Sequence, residues 1–223
     1  MQTIKDNGLS LFFGGIFLAT LVAQAVAGHA AFNNEQLQHG GDQISLASYV
    51  VSAQYGAAVL ENWQSEYLQF TLFILLTVWL LQRGSPESKE LDKAGLESDE
   101  DQEVGEHAGA RSPRWARLND WRRRVYENSL LLVMGTIWVG TWFAHSVTGW
   151  SAYNAEQLEH EQDKVSWLDY VGSAEFWEAT LQNWQSEFLA VGSFAVLAIY
   201  LRQRGSPESK PVGAAHDATG VEG

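Results

Sequence analysis

The chain has no cysteine, only four prolines, and 14 basic side chains against 27 acidic ones. Without cysteine there is no disulfide framework, no thiolate zinc site, no iron–sulfur cluster and no cysteine nucleophile. The shortage of Lys and Arg leaves a formal charge of −13 and a pI near 4.8. That balance excludes the basic footprint of a nucleic-acid binder. No Walker loop, dinucleotide fingerprint, zinc-protease helix or nucleophile elbow occurs. Ionisable groups are also missing from long stretches: residues 9–27 carry none, and residues 130–147 carry only His145. The mean hydropathy of −0.17 would suit a soluble protein. The apolar residues are concentrated in blocks, so that average misleads.

What is present is written twice. Asn62-Trp63-Gln64-Ser65-Glu66 recurs as Asn183-Trp184-Gln185-Ser186-Glu187, a displacement of 121 positions. The same displacement carries the Gln-Arg-Gly-Ser-Pro-Glu-Ser-Lys run at 82–89 onto 203–210. It also carries Glu35 onto Glu156, His39 onto His160, Tyr49 onto Tyr170 and Gly28 onto Gly149. A repeat of this length must be recognised before any fold is assigned. It divides the 223 residues into repeat 1 at 1–89, a linker at 90–119, repeat 2 at 120–210 and a tail at 211–223.

Each repeat holds two apolar blocks. The blocks at 9–27 and 130–147 are long enough to cross a bilayer. The first resembles a signal peptide, since Lys5 precedes it and Ala25-Val26-Ala27 resembles a cleavage site. Its mid-chain copy argues for spans instead. The second blocks, 67–81 and 188–201, are shorter than a hydrocarbon layer of ~30 Å requires. Starting those helices near Asn62 and Asn183 supplies the missing length. The expected fold is therefore all-α and integral to the membrane. It has four transmembrane helices at about 9–27, 63–82, 129–148 and 184–202, as two tandem parallel two-span repeats. Short helical outer caps connect the spans of each repeat.

Orientation follows from charge. Apart from Lys164, every Lys and Arg lies outside the stretches 28–61 and 149–182: Lys5 before the first block, a group from Arg83 to Arg124, and Arg202, Arg204 and Lys210 after the last block. Both termini are then cytoplasmic. The acidic linker lacks the apolar residues that would offset ordering entropy, so disorder is expected there, and a flexible tail after Pro211. Residues 115–125, with Trp115, Trp121 and four arginines, suit an amphipathic helix on the membrane face. The tryptophans near span ends suit an aromatic belt.

Candidate site residues fall in two groups. Asn62 and Glu66, with their copies Asn183 and Glu187, place polar groups on one face at the outer part of the second span of each repeat. A carboxylate there must be paired, hydrated or protonated. The alternative is a solvated helix-start residue near the positive end of the helix dipole. His145 is the one ionisable residue of the third span. Its counterpart Gln24 excludes a symmetric role, and a hydrogen bond across the bundle accounts for it. Glu35, His39, Glu156 and His160 supply a stoichiometry reminiscent of di-metal helical bundles. The spacing is Glu-x-x-x-His rather than Glu-x-x-His, which favours hydrogen bonding within the caps.

The repeated Asn-Trp-Gln-Ser-Glu and Arg-Gly-Ser-Pro-Glu-Ser-Lys segments, each flanking a span, resemble an uncharacterised bacterial family of small membrane proteins, a domain of unknown function. The resemblance implies a bacterial membrane protein and carries no activity or catalytic residues. The expected role is a non-enzymatic scaffold or accessory component of the bacterial inner membrane. Its partners are the lipid bilayer, further copies or other membrane proteins, with no nucleic acid and no cofactor. The alternative is a small channel or an ion- or proton-coupled transporter built on a pseudo-twofold polar site. A carboxylate/His metal oxidoreductase is a distant third.

Overall fold

A computed structural model describes residues 5–221. Among the described residues the fold is all-helical, with seven α-helices and no strand. In chain order these are α1 (Gly8–His39), α2 (Leu46–Val50), α3 (Ala53–Leu76), α4 (Trp121–Glu127), α5 (Ser129–Glu159), α6 (Trp167–Val171) and α7 (Ala174–Tyr200). Two 3-10 turns, Gly105–His107 and Arg114–Arg117, lie in the linker region.

Two helices, α1 and α5, are long and apolar enough to cross a membrane, rather than the four expected. The physical reason lies in α3 and α7. Each carries the polar Asn-Trp-Gln-Ser-Glu motif inside the helix, and α3 ends at Leu76, short of the expected 82. At ~1.5 Å per residue the 32 residues of α1 extend roughly 48 Å, well beyond a hydrocarbon layer. The apolar block therefore fills only part of the helix, and its continuation carries Glu35, Gln36 and His39. The expected single amphipathic helix at 115–125 is instead a 3-10 turn followed by α4. Asp120 starts α4 afresh, its carboxylate accepting from the Arg122 N–H at 2.9 Å.

The chain divides into two compact units. The first comprises Met1–Leu60 and Ala144–Ser173. Its core gathers Ala25, Tyr49 and Tyr55, with Leu21, Phe32, Ile44 and Val59 packed around them. The Tyr55 hydroxyl donates to the Leu21 carbonyl at 3.2 Å.

This unit contains two corners whose bonding recurs at the 121-residue displacement. In one, Asn33 bridges both backbone groups of Ile44: Oδ1 accepts from its N–H at 2.9 Å, and Nδ2 donates to its carbonyl at 3.0 Å. In the other, Asn154 does the same to Val165 at 2.9 and 3.1 Å. Ring nitrogens donate to the same two carbonyls, His29 Nε2 to Ile44 at 2.7 Å and Trp150 Nε1 to Val165 at 2.8 Å. Ser45 and Ser166 then cap α2 and α6, and Asp169 completes a capping box in the second case. Gly28 and Gly149 lie against the hydroxyls of the buried Tyr49 and Tyr170, leaving no room for a β-carbon.

The second unit comprises Glu61–Phe143 and Ala174–Gly223. Its aromatic centre is Trp142, whose ring stacks on Trp138 and meets Phe176, Trp177 and Trp184 with centroids 6.1–6.4 Å away. Phe176 is 1% exposed. Gly135 of α5 faces the Thr71 methyl of α3.

After α3 and α7 come two matching turns. Gly84 and Gly205 both sit at φ 83°, the left-handed region that favours glycine. Ser88 and Ser209 accept from the Gln82 and Gln203 N–H groups at 2.9 Å each. The lysines that follow differ in their partners. Lys89 donates to the Gly95 carbonyl and pairs with Glu97. Lys210 is 1% exposed and donates to three carbonyls, of Ala215, His216 and Ala218, at 2.8–3.2 Å.

Candidate functional site

The repeated Asn-Trp-Gln-Ser-Glu motif places its polar groups where α3 and α7 meet in the second unit. Helical spacing sets residues 61, 64, 65 and 68 on one face of α3. Gln64 and Ser65 are fully buried, and Leu68 lies beside them. The Trp184 indole N–H donates to Gln64 Oε1 at 2.8 Å. Asn183 Nδ2 donates to Glu61 Oε1 at 2.6 Å. Ser65 Oγ donates to the Asn62 carbonyl at 2.8 Å and reaches Glu187 Oε1 at 3.5 Å.

Of the motif residues expected at this site, Asn183 and Glu187 are half-buried and share the interface with Glu61 and Ser65. Asn62 and Glu66 face outward and are exposed. The exchange of faces has a simple cause. Glu61 lies four residues before Ser65, so the α3 surface that meets α7 runs through 61, 64, 65 and 68. Asn62 and Glu66 fall one position around the helix.

Glu61 was not apparent as a site residue, because its copy is Gln182 and the repeat gave it no emphasis. Glu61 is half-buried, and its carboxylate accepts from the Asn183 amide. Gln64 and Trp184 were visible only as members of the motif. The signal for their pairing is chemical: a Gln acceptor and an indole donor stand at neighbouring places in two copies of one segment.

An apolar groove of 380 Å³ lies below this polar layer. Leu72, Phe73 and Leu76 of α3 line it on one side, with Phe188, Val191 and Ala195 of α7 on the other.

In the first unit, His145 is 2% exposed and lies beside the backbone of Ala57. Nearby, the Trp167 indole donates to Ser146 Oγ at 3.2 Å. At the ends of α1 and α5, Gln36 Nε2 donates to Glu159 Oε1 at 3.0 Å. His39 and His160 face each other with ring centroids 6.1 Å apart. Glu35 and Glu156 are exposed on the same helices. Among the described residues, no three or more His, Asp or Glu side chains gather as a metal-binding group.

A family model described as Domain of unknown function (DUF6766) matches residues 1–221. The chain belongs to that family. The match covers both compact units, the linker and both copies of the motif, so the polar contacts between α3 and α7 lie within the DUF6766 domain. No curated protein and no solved structure matches the chain.

Proposed function

We propose that this DUF6766 chain is a four-span protein of the bacterial inner membrane. In this reading it is built as two tandem parallel repeats with both termini cytoplasmic, and it serves as a non-enzymatic scaffold or accessory component. The observation that carries the reading is the pairing of the motif's polar groups with one another. Asn183 is bonded to Glu61, Trp184 to Gln64, and Ser65 reaches Glu187. Polar side chains are tolerated in a bilayer when their bonds are made inside the protein. With those bonds closed, α3 and α7 satisfy the main objection to their crossing.

Length supports the same conclusion. At ~1.5 Å per residue, the 24 residues of α3 and 27 of α7 reach roughly 36 and 40 Å. Beyond the motif, residues 67–81 and 188–201 contain no Asp, Glu, His, Lys or Arg. The apolar surface of α1 (Leu9, Phe12, Phe13, Leu18 and Val22, each 60% exposed or more) is suited to lipid. Groups already bonded to one another leave little for a moving substrate, which favours a structural role over transport.

A second reading rests on Glu66, which is exposed and near enough to Glu187 to act on it electrostatically. A carboxylate pair of this kind suits a small channel or a proton-coupled transporter. Two measurements separate the readings. Single cysteines at Ser45 and Ser166 should react with an impermeant thiol reagent in intact cells, and one at Ser98 should not. The reverse pattern refutes the topology. Proteoliposomes holding the purified chain should show no proton or cation flux above empty vesicles. A flux abolished by Glu187→Gln would replace the scaffold with the transporter.

A further inference from the structure

The ends of α1 and α5 bring two histidines together that lie 121 residues apart. Their rings meet edge to face, with centroids 6.1 Å apart and an interplanar angle of 66°. Several features fix this approach. One turn earlier, Gln36 is nearly buried and bonded to Glu159, tying the two helix ends together. Just beyond each histidine the backbone turns back into the left-handed region, at Gly40 (φ 74°) and Glu161 (φ 56°). The Gly41 N–H closes onto the Gln36 carbonyl at 2.7 Å, and the Gln162 N–H onto the Gln157 carbonyl at 2.8 Å. Both histidines therefore sit on helix ends that are capped and joined.

One tautomer is also set. His160 Nδ1 lies 3.0 Å from the Glu156 carbonyl oxygen. A carbonyl only accepts, so Nδ1 carries a proton, and the neutral form of the ring has its lone pair on Nε2. A backbone carbonyl holding one ring nitrogen so that the other is presented is the usual arrangement behind a metal-binding imidazole.

We propose that His39 and His160 form a two-imidazole site for a divalent first-row transition ion, of the copper(II) or zinc(II) class, with solvent or an exogenous ligand completing the coordination. A metal–nitrogen bond of ~2.0–2.1 Å puts the ion roughly 3.2 Å from each ring centroid. Two rings on one ion then have centroids about 4.5 Å apart at a right angle, about 5.2 Å at a tetrahedral angle and about 6.4 Å on opposite sides. The observed separation lies inside that range. Imidazole selects these ions over magnesium and calcium, which prefer oxygen. Glu35, Asp42, Glu156, Glu159, Glu161 and Asp163 all lie within four residues of the two histidines along the chain, against the single cation Lys164, and this local negative charge draws cations. Both histidines are exposed, so the entry path is open.

The test uses the untagged full-length chain in detergent, stripped of metal and titrated with copper(II). The cysteine-free sequence removes thiol binding as a competing event. One equivalent should bind, and its electron paramagnetic resonance spectrum should show two nitrogen ligands. His39→Gln and His160→Gln should each weaken that event on the order of tenfold or more, since each converts a chelate into a single contact. The double variant should be little worse than either single one. Unchanged melting of the exposed-site variants would show that they are folded, and His39→Asn provides a second substitution should either Gln variant melt early. Two independent weak events with additive losses would overturn the proposal, and so would a titration unchanged by both substitutions.

Discussion

The two corners of the first unit solve one geometric problem with partly different residues. Each joins the end of a long helix to a short capped one, and each uses an Asn that bonds both backbone groups of a residue eleven positions on. The glycine at 28 or 149 and the tyrosine at 49 or 170 are the same in both. Other positions changed chemistry and kept their function. His29 and Trp150 have little in common as side chains, yet each donates a ring N–H to the equivalent carbonyl. Where the first corner has Ser48, the second has Asp169, which adds the other half of a capping box. Where the first has Gly40, the second has Glu161 in the same left-handed region, which adds strain. The corners are thus specified by a few backbone-directed bonds and one close approach, and the remaining residues vary around them.

The largest test of that comparison is the close approach. Gly149→Ala should destabilise the protein by about 3 kcal/mol, because the new methyl group meets the rigid, buried Tyr170 ring and neither can move cheaply. Gly28→Ala should behave alike against Tyr49. Thermal melting in detergent reads both effects. Adding Tyr170→Phe to Gly149→Ala should recover part of the loss. No recovery would mean that the hydroxyl is not the obstacle.

Next comes the asparagine bridge. Asn154→Ala strands the Val165 N–H and should cost about 2 kcal/mol, within the range for an unsatisfied buried group. Asn33→Ala should cost less, since Asn33 is more exposed than the buried Asn154. Equal melting losses would show that burial does not distinguish the corners.

Smaller, and opposite in sign, is the exchange at the left-handed position. Glu161→Gly should stabilise by about 1 kcal/mol, as relief of the steric cost exceeds the added chain entropy. A loss of stability would mean that the Glu161 side chain makes a contact worth more than the strain.

The smallest effect concerns the bond between Glu61 and Asn183. Glu61→Gln keeps an acceptor for Asn183 and should lower the melting temperature in detergent less than Glu61→Ala, which removes that acceptor at a cost of about 0.5 kcal/mol. Equal losses from the two variants would show that the bond contributes nothing to the contact between α3 and α7.

Much of the helical layout was legible in the sequence, because apolar blocks without charge force helices. The blocks at 9–27 and 130–147 fall inside α1 and α5, the two helices able to cross a membrane. The extension of α1 to His39 was not legible, since residues 32–39 hold only Phe32 and Leu37 among polar residues and give no apolar period. Break points were harder still. Asp120 splits 115–125 into a turn and a helix through one side-chain bond, which composition does not reveal. At the candidate site the motif pointed to the right stretch of helix but to only some of the right residues. Repetition singled out Asn62 and Glu66, which are exposed, and passed over Glu61, which bonds Asn183. A repeated segment shows what two copies have in common. The contact between them depends on pairs such as Glu61 with Asn183 that need not be alike.

The lysines after the two glycine turns carry a consequence for the order of folding. Each finds its partners within eight residues downstream: Lys89 takes Gly95 and Glu97, and Lys210 takes the carbonyls of Ala215, His216 and Ala218. Each ammonium stays hydrated until that short stretch folds back, so each turn can lock locally, without waiting for the helices of the other half.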